Sequence, residues 1–144
     1  AALAAGDCPR AMDRLERALA AQPGSGEVMQ ALARAYSSCP DVGPEQLALA
    51  ADYAAIIYRA RPDFDHAEAL AMAAAANGRW QQALQIQSRL AEVAGEGDGP
   101  RARRARDLLE VYRQRRTAAE AWSPDHAVYR PAAAGAGREA PVGR

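Results

Sequence analysis

Proline and glycine punctuate this sequence at intervals, and between them apolar residues recur at helical spacing in paired stripes. That pattern constrains the fold more than any other feature. From Phe64 to Gly97, the residues Ala67, Leu70, Ala71 and Ala74 line one stripe. Asn77-Gly78 interrupts it, Trp80 follows, and Ala83, Leu84, Ile86 and Leu90 form a second. Two helices joined by so short a turn pack closely only where small residues let their backbones approach, so Ala71 and Ala83 are the expected touch points. Gly78 supplies a left-handed cap for the first helix, and Trp80 plugs the gap beneath the turn.

Composition points the same way. Alanine, the best helix former, dominates, and the β-branched residues that strands prefer are scarce. The expectation is an all-α chain of 144 residues, long enough to bury a core as one domain. Formal charge sums to zero, so the chain as a whole does not advertise a nucleic-acid or membrane surface. Its 18 basic residues are all arginine, which reads as coding bias rather than selection for anion contacts. No apolar run reaches the ~18 residues a membrane span needs. The opening Ala1-Ala2-Leu3-Ala4-Ala5 looks like the end of a helix, as in a fragment or a processed chain.

The skeleton of helix, polar turn, second helix and closing Pro or Gly occurs in two more stretches. Gly6 to Pro23 carries a turn glycine, Ala11 and Ala18 at the small positions, Leu15 between them and Pro23 as the close. Gly26 to Asp63 carries Met29, Leu32, Ala33 and Tyr36, then Ala50, Ala54 and Ile57, and closes at Pro62. About five extra residues sit in its turn, within Cys39-Pro40-Asp41-Val42-Gly43-Pro44. With the small residue at Ala71, Gly78, Trp80 and the small residue at Ala83, residues 64–97 resemble the tetratricopeptide repeat (TPR). The Cys39-Pro40-Asp41 turn resembles a variant common in bacterial proteins. Gln87 and Leu90 depart from the large apolar and small residues usual in the second helix.

The resemblance implies an α-α superhelix of helix-turn-helix repeats: a partial repeat over 1–23, repeats over 24–63 and 64–97, a capping helix over 101–121 and a Pro/Gly/Ala-rich tail over 123–144. A terminal helix with Leu108, Leu109, Val111 and Tyr112 on its apolar side suits such an array, whose last repeat needs a cover. The tail has too few apolar residues for a core, although Trp122, Val128 and Tyr129 are candidate anchors for its first part. The open N-terminal edge is the expected weak point, to be covered by upstream repeats or a bound subunit.

The resemblance also places the working surface on the first helix of each repeat. Glu27, Gln30, Arg34, Ser37 and Ser38 line that groove in the first full repeat, and Asp65, Glu68, Met72, Ala75 and Ala76 in the second. The family captures C-terminal carboxylates with Lys, Asn and Arg side chains. Only Arg34 resembles that clamp; Glu68 and Met72 stand at the corresponding places, so the groove better suits a helix or an extended peptide. The implied function is a non-catalytic scaffold or adaptor that binds a partner protein or peptide. The alternative is an accessory or regulatory segment of a larger enzyme or membrane-associated complex.

No other constellation competes. Cys8 and Cys39 occupy equivalent turns of adjacent units. They form either a disulfide, which requires an oxidising compartment such as the periplasm, or two half-buried thiols that pack as small hydrophobes; the thiols are the expectation. Neither has ligand spacing for a metal. His66 is expected as a solvated surface residue, far from His126. No phosphate-binding loop, nucleophile triad or carboxylate pair stands out, so neither catalysis nor a cofactor is expected. Arg103, Arg104, Arg106 and Arg113 load the last helix with positive charge. A solvated face is the favoured reading over attraction to an acidic partner, RNA or anionic lipid, and nucleic acid is further disfavoured by the scarcity of stacking aromatics.

Overall fold

The structure, a computed structural model, describes residues 7–123 and 126. Among them the chain is all-helical, with no strand: α1 (Cys8–Ala21), α2 (Gly26–Ser38), α3 (Pro44–Ala60), α4 (Phe64–Ala76), α5 (Trp80–Ala94) and α6 (Pro100–Arg113). Gly6, Val128 and Tyr129 lie outside the described residues. No helix among those described is long and apolar enough to cross a membrane.

Local chemistry accounts for most helix boundaries. Ser25 Oγ accepts from the Val28 amide at 3.2 Å, and Asp63 Oδ1 accepts from the His66 amide at 2.9 Å, each satisfying an orphan donor of a first turn. Prolines open α3 and α6 where a missing N–H costs nothing. Gly78 has φ 75°. Its amide reaches the Ala75 carbonyl and the Arg79 amide reaches the Ala74 carbonyl, which is the Schellman arrangement that closes α4. The loop Cys39–Gly43 makes its turn with Asp41 at φ 60°, a conformation Asp tolerates better than most residues.

Each helix packs against the next in sequence, and α2 also packs against α4. The interior has two centres. Leu32, Ala33, Tyr36, Ala50, Ala54 and Ala73 form one, with Met12, Leu15 and Leu19 of α1 against it. The other joins Ala71, Met72, Ala74, Ala75 and Ala83 to Leu108, Tyr112 and Ala118, with Trp80 against it. Ala50, Ala54, Ala71 and Ala83 are fully buried; any larger side chain there would hold the backbones apart. Between α5 and α6, the buried Gln87 donates to the Ala105 carbonyl at 3.0 Å, so a polar tie stands where the repeat pattern would place an apolar contact.

Two expectations need correction. Cys8 and Cys39 are bridged, with Cα atoms 5.8 Å apart, rather than being free thiols. The reason is positional: α1 packs against α2, which brings the start of one beside the end of the other. The terminal helix ends at Arg113, not Ala121. Arg115 turns left-handed at φ 56°, its amide bonds to the Tyr112 carbonyl and the Arg116 amide to the Val111 carbonyl. This is the same closure as at Gly78, built without glycine. Beyond it, residues 117–121 have no regular helix.

Candidate functional site

α2 and α4 place their polar and small residues on a shared face, and α6 closes one side of it. At its centre lies an ion cluster. Arg34, 1% exposed, donates from Nη1 to Glu68 Oε1 at 2.7 Å and from Nη2 to the Asp65 carbonyl at 2.8 Å. Its Nε donates to Gln30 Oε1 one helical turn earlier, at 3.1 Å. From α6, Arg104 Nε donates to the same Glu68 oxygen at 3.2 Å. Three helices thus converge on one carboxylate.

Burial and charge compete at these groups. Burial lowers the Arg34 pKa from its ordinary value, against the Glu68 carboxylate, which acts to raise it. For Glu68 burial alone would raise the pKa, but Arg34 and Arg104 together outweigh it and hold the carboxyl below the ordinary range. Tyr112 sits beside the cluster with its pKa raised, first by burial and then by Glu68, so its hydroxyl stays neutral. That hydroxyl has no hydrogen-bond partner among the described residues.

The cluster has more donors than Glu68, Gln30 and the Asp65 carbonyl take up, and others are met by residues 120–121 of the same chain. Arg34 Nη1 also reaches the Ala121 carbonyl at 3.0 Å. Arg104 Nη2 reaches the carbonyls of Glu120 at 3.1 Å and Ala121 at 3.4 Å. The Arg34 guanidinium lies 4.0 Å from the centre of the Trp122 ring, a cation–π contact. Ala118 and Ala121 are each 2% exposed, whereas Thr117, Ala119 and Glu120 are exposed.

The ten expected groove residues therefore divide. Arg34, Glu68 and Met72 are buried together at the cluster, and Met72 Sδ lies 3.7 Å from Arg34 Nη1. Ser37 and Ala75 are also buried. Gln30, Ser38 and Ala76 are half-buried, and Ser38 Oγ donates to the Arg34 carbonyl at 2.8 Å. Only Glu27 and Asp65 are exposed. An open groove lined by all ten is thus not what the structure shows: a strip of the same chain covers its centre.

The basic helix divides as well. Arg103 and Arg113 are exposed. Arg104 turns into the cluster, and Arg106 binds the Gly95 and Gly97 carbonyls at 3.2 and 3.1 Å, tying down the loop before α6. Arginines in a first helical turn oppose the helix dipole. Here α4 supplies the compensating charge, through Glu68 to Arg104 and through Asp65 to Arg101 at 3.8 Å. His66 is also more engaged than expected: its side chain is 15% exposed, and Nδ1 lies 2.8 Å from the Arg61 carbonyl.

Sequence reasoning did not place Arg104, Tyr112, Ala118 or Ala121 at this site. Their signal was present only in part. Arg104 falls on the same side of α6 as Leu108, one turn away, and Trp122 stands out as a large aromatic in a polar, small-residue stretch. Compared with known proteins, the chain matches no family model, no curated protein and no solved structure.

Proposed function

We propose that this chain is a TPR-like α-α superhelix serving as a non-catalytic scaffold, and that it binds a short non-helical peptide of a partner protein across the face shared by α2, α4 and α6. One observation carries the reading: a non-helical strip of backbone already lies there, with its carbonyls held by Arg34 and Arg104. A surface whose donors are satisfied by main-chain oxygens, and whose contact positions take alanine, is suited to a peptide more than to a folded domain or a small metabolite. The helical spacing of Ala71, Gly78, Trp80 and Ala83, together with contact of α2 with α4 across the intervening helix, supports the repeat reading. The Cys8–Cys39 bridge supports an oxidising location such as the periplasm, since cytosolic thiols are kept reduced.

Photo-crosslinking in source lysate tests the reading. A crosslinking residue replaces Ala76 on α4 or Arg103 on α6, each lining a cavity beside the strip, or the exposed Ser88 on α5. One protein captured from both cavity positions and absent at Ser88 is the expected result. Capture only from Ser88 would refute it.

A further inference from the structure

We propose that residues 117–122 are a displaceable resident of this face, a segment that holds the site closed until a partner peptide of matching form replaces it. The inference rests on the scaffold reading above and specifies its regulation and the partner's chemistry.

Four features carry it. Glu120 and Ala121 meet the arginines through their backbone: their carbonyls serve Arg34 and Arg104. Any peptide offers such carbonyls. Among the described residues, no amide from Thr117 to Ala121 donates a backbone–backbone hydrogen bond, so lifting the segment breaks no helix or sheet ladder. When it lifts, Arg34 keeps Glu68 and the Asp65 carbonyl, and the face is left with donors directed at the next occupant.

The segment also underfills its place. Between it and α6 lies an open cavity of about 440 Å³, lined by the apolar Pro100, Leu108, Val111 and Ala119 beside the charged Arg103 and Asp107. On the other side an open cavity of about 730 Å³ runs past Pro40, Ala76 and Trp80. Alanine at 119 leaves the first cavity unfilled. A partner with Leu or Phe at that position would bury apolar surface that the resident cannot. At the positions of Ala118 and Ala121 it needs small residues, because both are enclosed. At that of Trp122 it needs an aromatic ring for Arg34.

The pivot lies just past Arg116, after the turn that Arg115 makes. Arg115 holds a left-handed conformation that L-residues other than Gly, Asn and Asp rarely adopt. The hydrogen bonds that close α6 end at Arg116, so rotation beyond that residue frees the segment without unwinding the helix.

The test uses the full chain. A fluorescent peptide copying residues 116–124 with leucine at the position of Ala119 is titrated against the unaltered chain and against Trp122→Ala. Loosening the resident should tighten peptide binding about tenfold, and replacing the tryptophan of the peptide by alanine should abolish it. Equal binding of the peptide to both chains overturns the proposal. Equal binding with a partner still crosslinked at Ala76 and Arg103 overturns displacement and leaves the scaffold reading standing. Capture only from Ser88 sinks both.

Discussion

Glu68→Gln removes one charge and almost no volume from a cluster that buries Arg34 to 1% exposure and Arg104 to 9% of its side chain. In the native protein the carboxylate takes the Arg34 Nη1 bond at 2.7 Å and the Arg104 Nε bond at 3.2 Å. The amide can still accept one of them, but it leaves two cations facing each other without a counter-charge in a desolvated site. Breaking a buried pair from one side costs about 3–5 kcal/mol. For a domain of this size, about 4 °C of melting temperature per kcal/mol places the loss near 12–20 °C. The assay is a thermal melt followed by circular dichroism at pH 7 and at steps down to pH 3. Glu68 has its folded pKa below the ordinary 4.5, so its contribution is complete above that value and disappears as pH falls through the folded one. The gap between the two proteins should therefore narrow with acid, because Gln has no proton to gain. Arg34→Met combined with Glu68→Leu and Arg104→Met should recover much of the stability, since apolar replacements of similar size need no counter-charge. A Glu68→Gln protein melting within about 2 °C of the parent at pH 7, or a gap unchanged at pH 3, would refute the account of the cluster.

Further substitutions probe separate elements. Reducing the Cys8–Cys39 bridge, or replacing both residues by serine, releases a loop spanning 31 residues in sequence, and chain entropy puts the loss near 4 kcal/mol. Because α1 packs chiefly on α2, a melt with and without reductant should show α1 separating first, and an identical curve would argue against the bridge. Tyr112→Phe removes a buried hydroxyl that lacks a partner among the described residues, and should raise stability by about 1 kcal/mol in denaturant titration. Gly78→Ala forces a Cβ into φ 75° and should cost about 1 kcal/mol. Arg115→Gly should shift the denaturation midpoint the other way, by roughly half that amount after the entropy of glycine is set against the relieved strain.

The helices were legible because their signals are local. Gly78 behaves as a cap for reasons contained within two residues of it, and the alanines at 50, 54, 71 and 83 fall at helical spacing where close packing requires them. The end of α6 was not legible for the converse reason. Gln114-Arg115-Arg116 contains no glycine or proline, and Thr117-Ala118-Ala119-Glu120-Ala121 has a composition that favours helix. Tertiary contacts override that preference: Ala118 and Ala121 bury against the repeats, and the carbonyls of Glu120 and Ala121 go to arginines rather than to a helix ladder. The bridge was missed for a related reason, since the position of α1 against α2 decides whether two turn cysteines meet.

Why the groove looked open from sequence follows from the kinds of atom that close it. The resemblance to the repeat family places Arg34, Glu68 and Met72 on facing helices, and a charged residue on such a face reads as solvated. Whether Arg34 is buried depends on acceptors, and these come from four places along the chain, the Asp65 carbonyl being 31 residues on. Gln30 is one turn away and Glu68 is 34 residues on, both visible as side chains; the Ala121 carbonyl is 87 residues on and carries no sequence signature at all. A main-chain oxygen is the same in every residue, so no residue type at position 121 could announce it. The same anonymity makes the segment replaceable. If recognition by Arg34 and Arg104 rested on a particular side chain, only a copy of this segment would compete; because it rests on carbonyls, selectivity falls to the small residues at 118 and 121, the ring at 122 and the unfilled cavity beside 119.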